Sequence, residues 1–81
     1  MKIELLHRGH FVELDQASAK NQGKNAWEIT IPLDSLRHKV SRGDKAEDWD
    51  EAIFSLDGEE TAPAVGSGEG KGTIKVTVIL L

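Results

Sequence analysis

The sequence contains no cysteine, and it has no long hydrophobic run. Without cysteine the chain can form no disulfide, no thiolate metal site and no cysteine nucleophile. The longest apolar run, residues 78–81, is far shorter than the roughly 20 residues that a membrane-spanning helix needs. A basic segment followed by an apolar stretch, the mark of a signal peptide, is also missing. We therefore expect a cytoplasmic protein that makes no membrane contact.

The small size of the chain limits its chemistry. Its 81 residues suffice for one domain. A chain of this length buries only about 60–65% of its unfolded surface, which leaves little room for a pocket that encloses a substrate. Serines, histidines and acids occur without a spacing that links them. We therefore expect a non-catalytic protein that carries no cofactor.

Negative charge is concentrated in one segment. The chain has 10 basic and 14 acidic residues and a net charge of −4. Residues 44–60 alone contain eight acids and one lysine, whereas the remainder is slightly basic. The basic residues at 37–42 have no aromatic residue interleaved, and the chain as a whole is acidic, so we do not expect direct binding of nucleic acid.

Several segments alternate apolar and polar residues, as β-strands do. The strongest are residues 2–6, 10–14, 26–31 and 73–81. Arg8-Gly9 separates the first two segments, either as a tight hairpin turn or as a bulge in one long bent strand. Because Arg-Gly is not a favoured two-residue turn, the bulge is the preferred interpretation.

Residues 44–57 have the pattern of an amphipathic helix. Asp44 and Glu47 fit a capping box at its start, and Gly58 fits a C-terminal stop. A hairpin around Asp57-Gly58 is the alternative for the end of this segment. The apolar residues recur at i, i+3, i+4 and i+7, namely Trp49, Ala52, Ile53 and Leu56.

The expected fold is a single α+β domain over residues 1–81. A small, mostly antiparallel sheet of three or four strands would carry the acidic helix 44–57 on one face, with a short helix or turn at 33–43 before it. Residues 15–25 and 58–72 are expected to be mobile loops. The predicted core consists of Ile3, Leu5, Val12, Leu14, Trp27, Ile29, Ile31, Leu36, Val40, Trp49, Ile53, Leu56, Ile74, Val76, Val78 and Leu80.

The glycine-rich run at 66–73 superficially resembles a phosphate-binding loop. A P-loop needs glycine five residues before its final Gly-Lys, and that position is Val65. The residue after Lys71 is Gly72, which has no hydroxyl for a magnesium ion. The run also precedes a strand rather than a helix. It therefore predicts a flexible connector and no nucleotide site.

The histidines and acids do not form a convincing metal site. His7 and His10 would point to opposite faces of one strand, and they become cross-strand neighbours only if Arg8-Gly9 is a tight turn. The acids at 44–51 do not match a calcium-binding loop. We expect no resident metal, although the strand geometry at the two histidines stays open.

The acidic segment is the candidate site. On a helix, Phe54 would fall on the acidic side, where it either packs under the following loop or anchors a partner. The predicted partner-binding residues are Asp44, Glu47, Asp48, Asp50, Glu51, Phe54, Glu59 and Glu60.

These residues suggest a protein-binding module that engages a basic partner surface. If that surface normally holds nucleic acid, the carboxylates would mimic phosphates and the protein would inhibit its partner. Small acidic accessory proteins of phages and mobile elements offer an analogy for this role. The alternative is an assembly protein that oligomerises through the edges of its sheet.

Overall fold

The computed structural model describes residues 1–36 and 51–81, and these residues form two antiparallel sheets of four strands each. The first sheet has the strand order β2-β1-β5-β6, and the second has the order β3-β4-β8-β7. The elements are β1 (Ile3–His7), β2 (His10–Glu13), β3 (Ser18–Gly23), β4 (Ala26–Pro32), α1 (Leu33–Leu36), β5 (Phe54–Leu56), β6 (Glu59–Glu60), β7 (Gly66–Glu69) and β8 (Thr73–Ile79).

The prediction of an α+β fold is wrong, because the described chain is nearly all β-structure. The end of the predicted helix 44–57 is strand β5 followed by the Asp57-Gly58 turn. α1 is a single helical turn after β4. Residues 37–50, which include the start of the predicted helix, lie outside the described residues.

The core lies between the inner faces of the two sheets. Ile3 and Leu5 of β1 and Ile29 and Ile31 of β4 are buried, as their alternation with polar residues predicts. Val12, Trp27, Ile53 and Leu80 are only partly buried, and Val40 and Trp49 lie outside the described residues. The buried apolar cluster is Ile3, Leu5, Leu14, Ile29, Ile31, Phe54, Leu56, Ala64, Ile74, Val76 and Val78.

One stretch of chain joins the two sheets. Residues 59–61 pair with β5 in the first sheet. The chain then runs along β8, where the Ala62 N–H donates to the Ile79 carbonyl at 2.8 Å and the Val65 N–H donates to the Thr77 carbonyl at 3.0 Å. This bent path continues the first sheet into the second and fixes one side of the core.

Two tight turns set the register of the first sheet. Arg8 and Gly9 have φ angles of 52° and 83°, and Asp57 and Gly58 have 52° and 86°. Positive φ at both central residues defines a type I′ turn, whose twist matches that of antiparallel strands. The preferred bulge at Gly9 is therefore wrong, and the hairpin alternative holds both there and at Asp57-Gly58.

Both predicted mobile loops contain strands. Within 15–25, β3 pairs with β4, and the Asn21 side chain supports the turn by donating to the Lys24 and Ala26 carbonyls at 3.1 Å each. Within 58–72, the glycine-rich run forms β7, which pairs with β8. Polar and glycine-rich strands of this kind obtain their register from the apolar strands beside them.

Candidate acidic face

Three acidic residues and one serine lie in a row across the strands of the first sheet, on the side away from the core. In the strand register, Glu4 lies opposite Glu13 on one side and opposite Ser55 on the other, and Ser55 lies opposite Glu60. Residues directly opposite one another in antiparallel strands project from the same face. We call Glu13, Glu4, Ser55 and Glu60 the acidic row.

Local alternation places these side chains outward. Glu4 lies between the buried Ile3 and Leu5, and Glu13 precedes the buried Leu14. A strand that buries one set of side chains directs the intervening set to the other face. Glu13 and Glu60 are exposed, Glu4 is half-buried, and Ser55, between Glu4 and Glu60, is buried.

The pair Glu4–Glu13 is electrostatically unfavourable. The Leu14 N–H donates to the Ile3 carbonyl at 2.9 Å, so Ile3–Leu14 is a hydrogen-bonded pair of the ladder. The neighbouring pair Glu4–Glu13 is then of the non-hydrogen-bonded kind, in which opposite side chains come closest. Like charges placed directly opposite destabilise a sheet. This cost must be offset elsewhere in the fold.

An apolar row lies beside the acidic row. Leu6 is opposite Phe11, and its N–H donates to the Ile53 carbonyl at 2.8 Å. Leu6 and Ile53 are half-buried, and Phe11 is 39% exposed. We call Phe11, Leu6 and Ile53 the apolar row. The outer face of this sheet therefore offers charge and apolar surface side by side.

The second sheet has a different charge pattern on its outer face. There Lys20 lies opposite Glu28, and Lys75 lies opposite Thr30. An opposite-charge pair such as Lys20–Glu28 is the favourable arrangement across strands. The concentration of carboxylates is thus a property of the first sheet among the described residues.

The residues predicted from sequence divide into three groups. Glu59 and Glu60 are exposed on β6, and Glu60 belongs to the acidic row. Glu51 is exposed just before β5, whereas Phe54 is fully buried and points into the core. Its side chain therefore cannot anchor a partner in this structure. The others, Asp44, Glu47, Asp48 and Asp50, lie outside the described residues.

The binding residues predicted from sequence do not include Glu4 and Glu13. The signal that could have found them is the Arg8-Gly9 turn, because a two-residue turn between His7 and His10 places Glu4 opposite Glu13. The prediction of a bulge removed that pairing.

The histidine pair also follows from this turn. His7 and His10 are direct cross-strand neighbours, as the hairpin alternative required. In the part of the chain that the structure describes, no three histidine, cysteine or acidic side chains come together in a way that could hold a metal ion.

A shallow depression beside the β3–β4 turn is lined by Gln22, Gly23, Lys24, Asn25, Ala26 and Ile79.

No protein-family model matches this chain, and no curated protein or solved structure matches it either. Among the described residues, no helix is long and apolar enough to cross a membrane. In residues 1–36 and 51–81 the fold is nearly all β-structure, and one face of its first sheet carries the carboxylates of Glu4, Glu13 and Glu60.

Proposed function

We propose that this chain is a non-catalytic binding protein whose acidic row engages a basic surface on a partner protein. The observation that carries the proposal is the direct opposition of Glu4 and Glu13, with Glu60 in the same row. An arrangement that costs stability is expected where it serves binding. A cytoplasmic partner is part of this proposal.

Complementary charge would contribute mainly to the rate and selectivity of association. A surface with one sign of charge attracts a basic partner over a distance and repels acidic ones. The neighbouring apolar row adds Phe11, an exposed aromatic of the kind that often dominates binding energy. Together the rows favour a partner that presents basic side chains beside an apolar contact.

A basic surface that normally holds nucleic acid is the favoured target. Phosphate-binding surfaces are lined with Lys and Arg, and a row of carboxylates presents them with fixed negative charges. Neighbouring strands are about 4.8 Å apart, so Glu4 and Glu13 are closely spaced, and Glu60 lies two strands from Glu4 in the same row. The protein would then act as a phosphate mimic that competes with nucleic acid for its partner.

The experiment captures the partner from a lysate of the source cells and then measures its affinity for matched variants. Glu13→Lys and Glu60→Lys alter the acidic row, and Glu69→Lys makes the same charge change on β7 of the second sheet. We expect the first two to weaken binding about tenfold or more and to flatten its salt dependence. Glu69→Lys should leave the affinity nearly unchanged.

Two results would count against this function. Equal weakening by all three variants would show that net charge matters rather than the row. Failure of added nucleic acid to displace the protein from its partner would remove the mimicry, while leaving a protein-binding role open to the variant test.

A further inference from the structure

The outer edge of β2 offers backbone groups to another strand. Within the described residues, β2 pairs only with β1. The hydrogen bond from Leu14 to Ile3 fixes the alternation of the ladder, so the backbone groups of Val12 also face β1. The N–H and C=O of Phe11 and Glu13 consequently point away from β1. A strand edge of this kind is a template for pairing.

The edge strands β2 and β3, which are consecutive in the chain, differ in their protection against pairing with another strand. β3 carries Lys20 and a register shift between Asn21 and Gly23, two features that discourage pairing. β2 has an unbroken register, contains neither lysine nor proline, and exposes Phe11. Of these two edges, β2 is the one open to another strand.

We propose that β2 pairs antiparallel with β2 of a second copy, about a two-fold axis that passes through Val12. Phe11 of each copy then lies opposite Glu13 of the other. This register engages the outward N–H and C=O of both residues in both copies, which makes four hydrogen bonds. The two first sheets become one continuous sheet.

The chemistry of the strand favours a second copy as the occupant. A two-fold pairing is self-complementary, so the same residues satisfy both edges. Moving the register by one residue on each strand, so that Glu13 lies on the axis, would place Glu13 opposite Glu13 and bring like charges together. In the proposed register, Val12 meets Val12 on the inner face, and Phe11 packs beside the aliphatic stem of Glu13 on the outer face.

The interface leaves the acidic row accessible. Because Phe11 of one copy continues the line of Glu13 in the other, each acidic row runs into the apolar row of the second copy. The pairing of β2 does not depend on the proposed partner function, since it rests on backbone groups and not on the carboxylates.

Sedimentation velocity from micromolar to millimolar concentration, combined with amide hydrogen exchange, tests the proposal. We expect a reversible monomer–dimer equilibrium without larger species. The amides of Phe11 and Glu13 should become protected as concentration rises, whereas the amide of Val12 should be protected in monomer and dimer alike. In a mixed-isotope sample, the α-protons of the two Val12 residues should show an intermolecular contact.

Substitutions at Glu13 test the role of its backbone N–H separately from that of its side-chain charge. Glu13→Gln keeps the outward N–H and should retain the dimer. Glu13→Pro removes that N–H but leaves the ladder to β1 intact, so the fold should persist while dimerisation weakens about tenfold. Lys20→Glu, which changes a charge on the edge strand β3, is the control and should leave dimerisation unchanged. Circular dichroism confirms that each variant is folded.

The proposal is overturned by a chain that remains monomeric over the whole range. It is equally overturned by species larger than a dimer, by a dimer in which the Phe11 and Glu13 amides exchange at monomer rates, or by equal dimerisation of the Gln and Pro variants.

Discussion

At the scale of single residues, the buried hydroxyl of Thr61 marks the point where the chain passes from one sheet to the other. Thr61 is fully buried. Its Oγ1 accepts a hydrogen bond from the Phe54 N–H at 3.0 Å and donates one to the Ala62 carbonyl at 2.9 Å. A side chain thus pairs backbone groups at an irregular position of the ladder.

Thr61→Val keeps the shape of the side chain and removes both hydrogen bonds. Because the Phe54 N–H loses an acceptor in the interior, we expect a loss of about 1–3 kcal/mol in the free energy of unfolding. Thr61→Ser keeps the hydroxyl and should lose less. Urea denaturation measures both, and a larger loss in Thr61→Ser than in Thr61→Val would show that the methyl group, not the hydroxyl, stabilises this crossing.

Phe54 is a core residue, not a surface anchor. Its side chain is fully buried, opposite Leu5 across β1 and β5. Phe54→Ala should lower the free energy of unfolding by about 3–5 kcal/mol, and Phe54→Leu should cost considerably less because it leaves a smaller cavity. Urea denaturation decides between the two roles. A Phe54→Ala variant with unchanged stability would contradict the burial and restore a surface role.

At the scale of elements, the tight turns explain the strand pairing and give a matched test. Gly58 has a φ of 86° at the second central position of a type I′ turn, whereas Gly68 lies in strand β7 without a positive φ. A Cβ would meet no atom within 4 Å at either position, so backbone conformation alone distinguishes them.

Gly58→Ala should destabilise the fold by about 1 kcal/mol, because the Cβ of alanine is sterically unfavourable in the left-handed backbone conformation. Gly68→Ala should be neutral or should stabilise by up to about 1 kcal/mol, because it reduces the freedom of the unfolded chain. Thermal unfolding of the two variants gives the comparison. A reversed order would contradict the turn assignment.

Elements with a clear apolar alternation could be predicted from sequence, and those without it could not. β1, β4 and β8 bury Ile3, Ile29 and Val76 as expected. The run Ile53–Leu56 satisfies both a helical and an extended pattern, and long-range pairing with β1 decides for the strand. β3 and β7 have too few apolar residues to show any period, since their register comes from β4 and β8.

At the scale of the whole molecule, the acidic row exists only because of the topology. Glu4 and Glu13 come from a hairpin, while Glu60 comes from a strand on the far side of β5. The sequence pattern identifies the charge at Glu60 but places it in a cluster built on a helix. The candidate face therefore needed the sheet order, which composition and local period do not contain.

If the acidic row is kept for binding, stability and binding should respond in opposite directions to one substitution. Glu4→Lys converts the central carboxylate into a cation that faces Glu13 across the ladder. Removing a like-charge pair and making an opposite-charge pair should raise the free energy of unfolding by about 0.2–1 kcal/mol. The same change interrupts the row and should weaken capture of a basic partner.

Glu4→Gln is the control, because it removes the repulsion without adding a positive charge, and both effects should be smaller. Urea denaturation and affinity measurements on the same preparations provide the two readouts. A Glu4→Lys variant that is more stable and binds equally well would show that the row is not the binding surface. One that is less stable would show that the Glu4–Glu13 opposition carries no energetic cost, and the pair would then give no support to a binding role for the row.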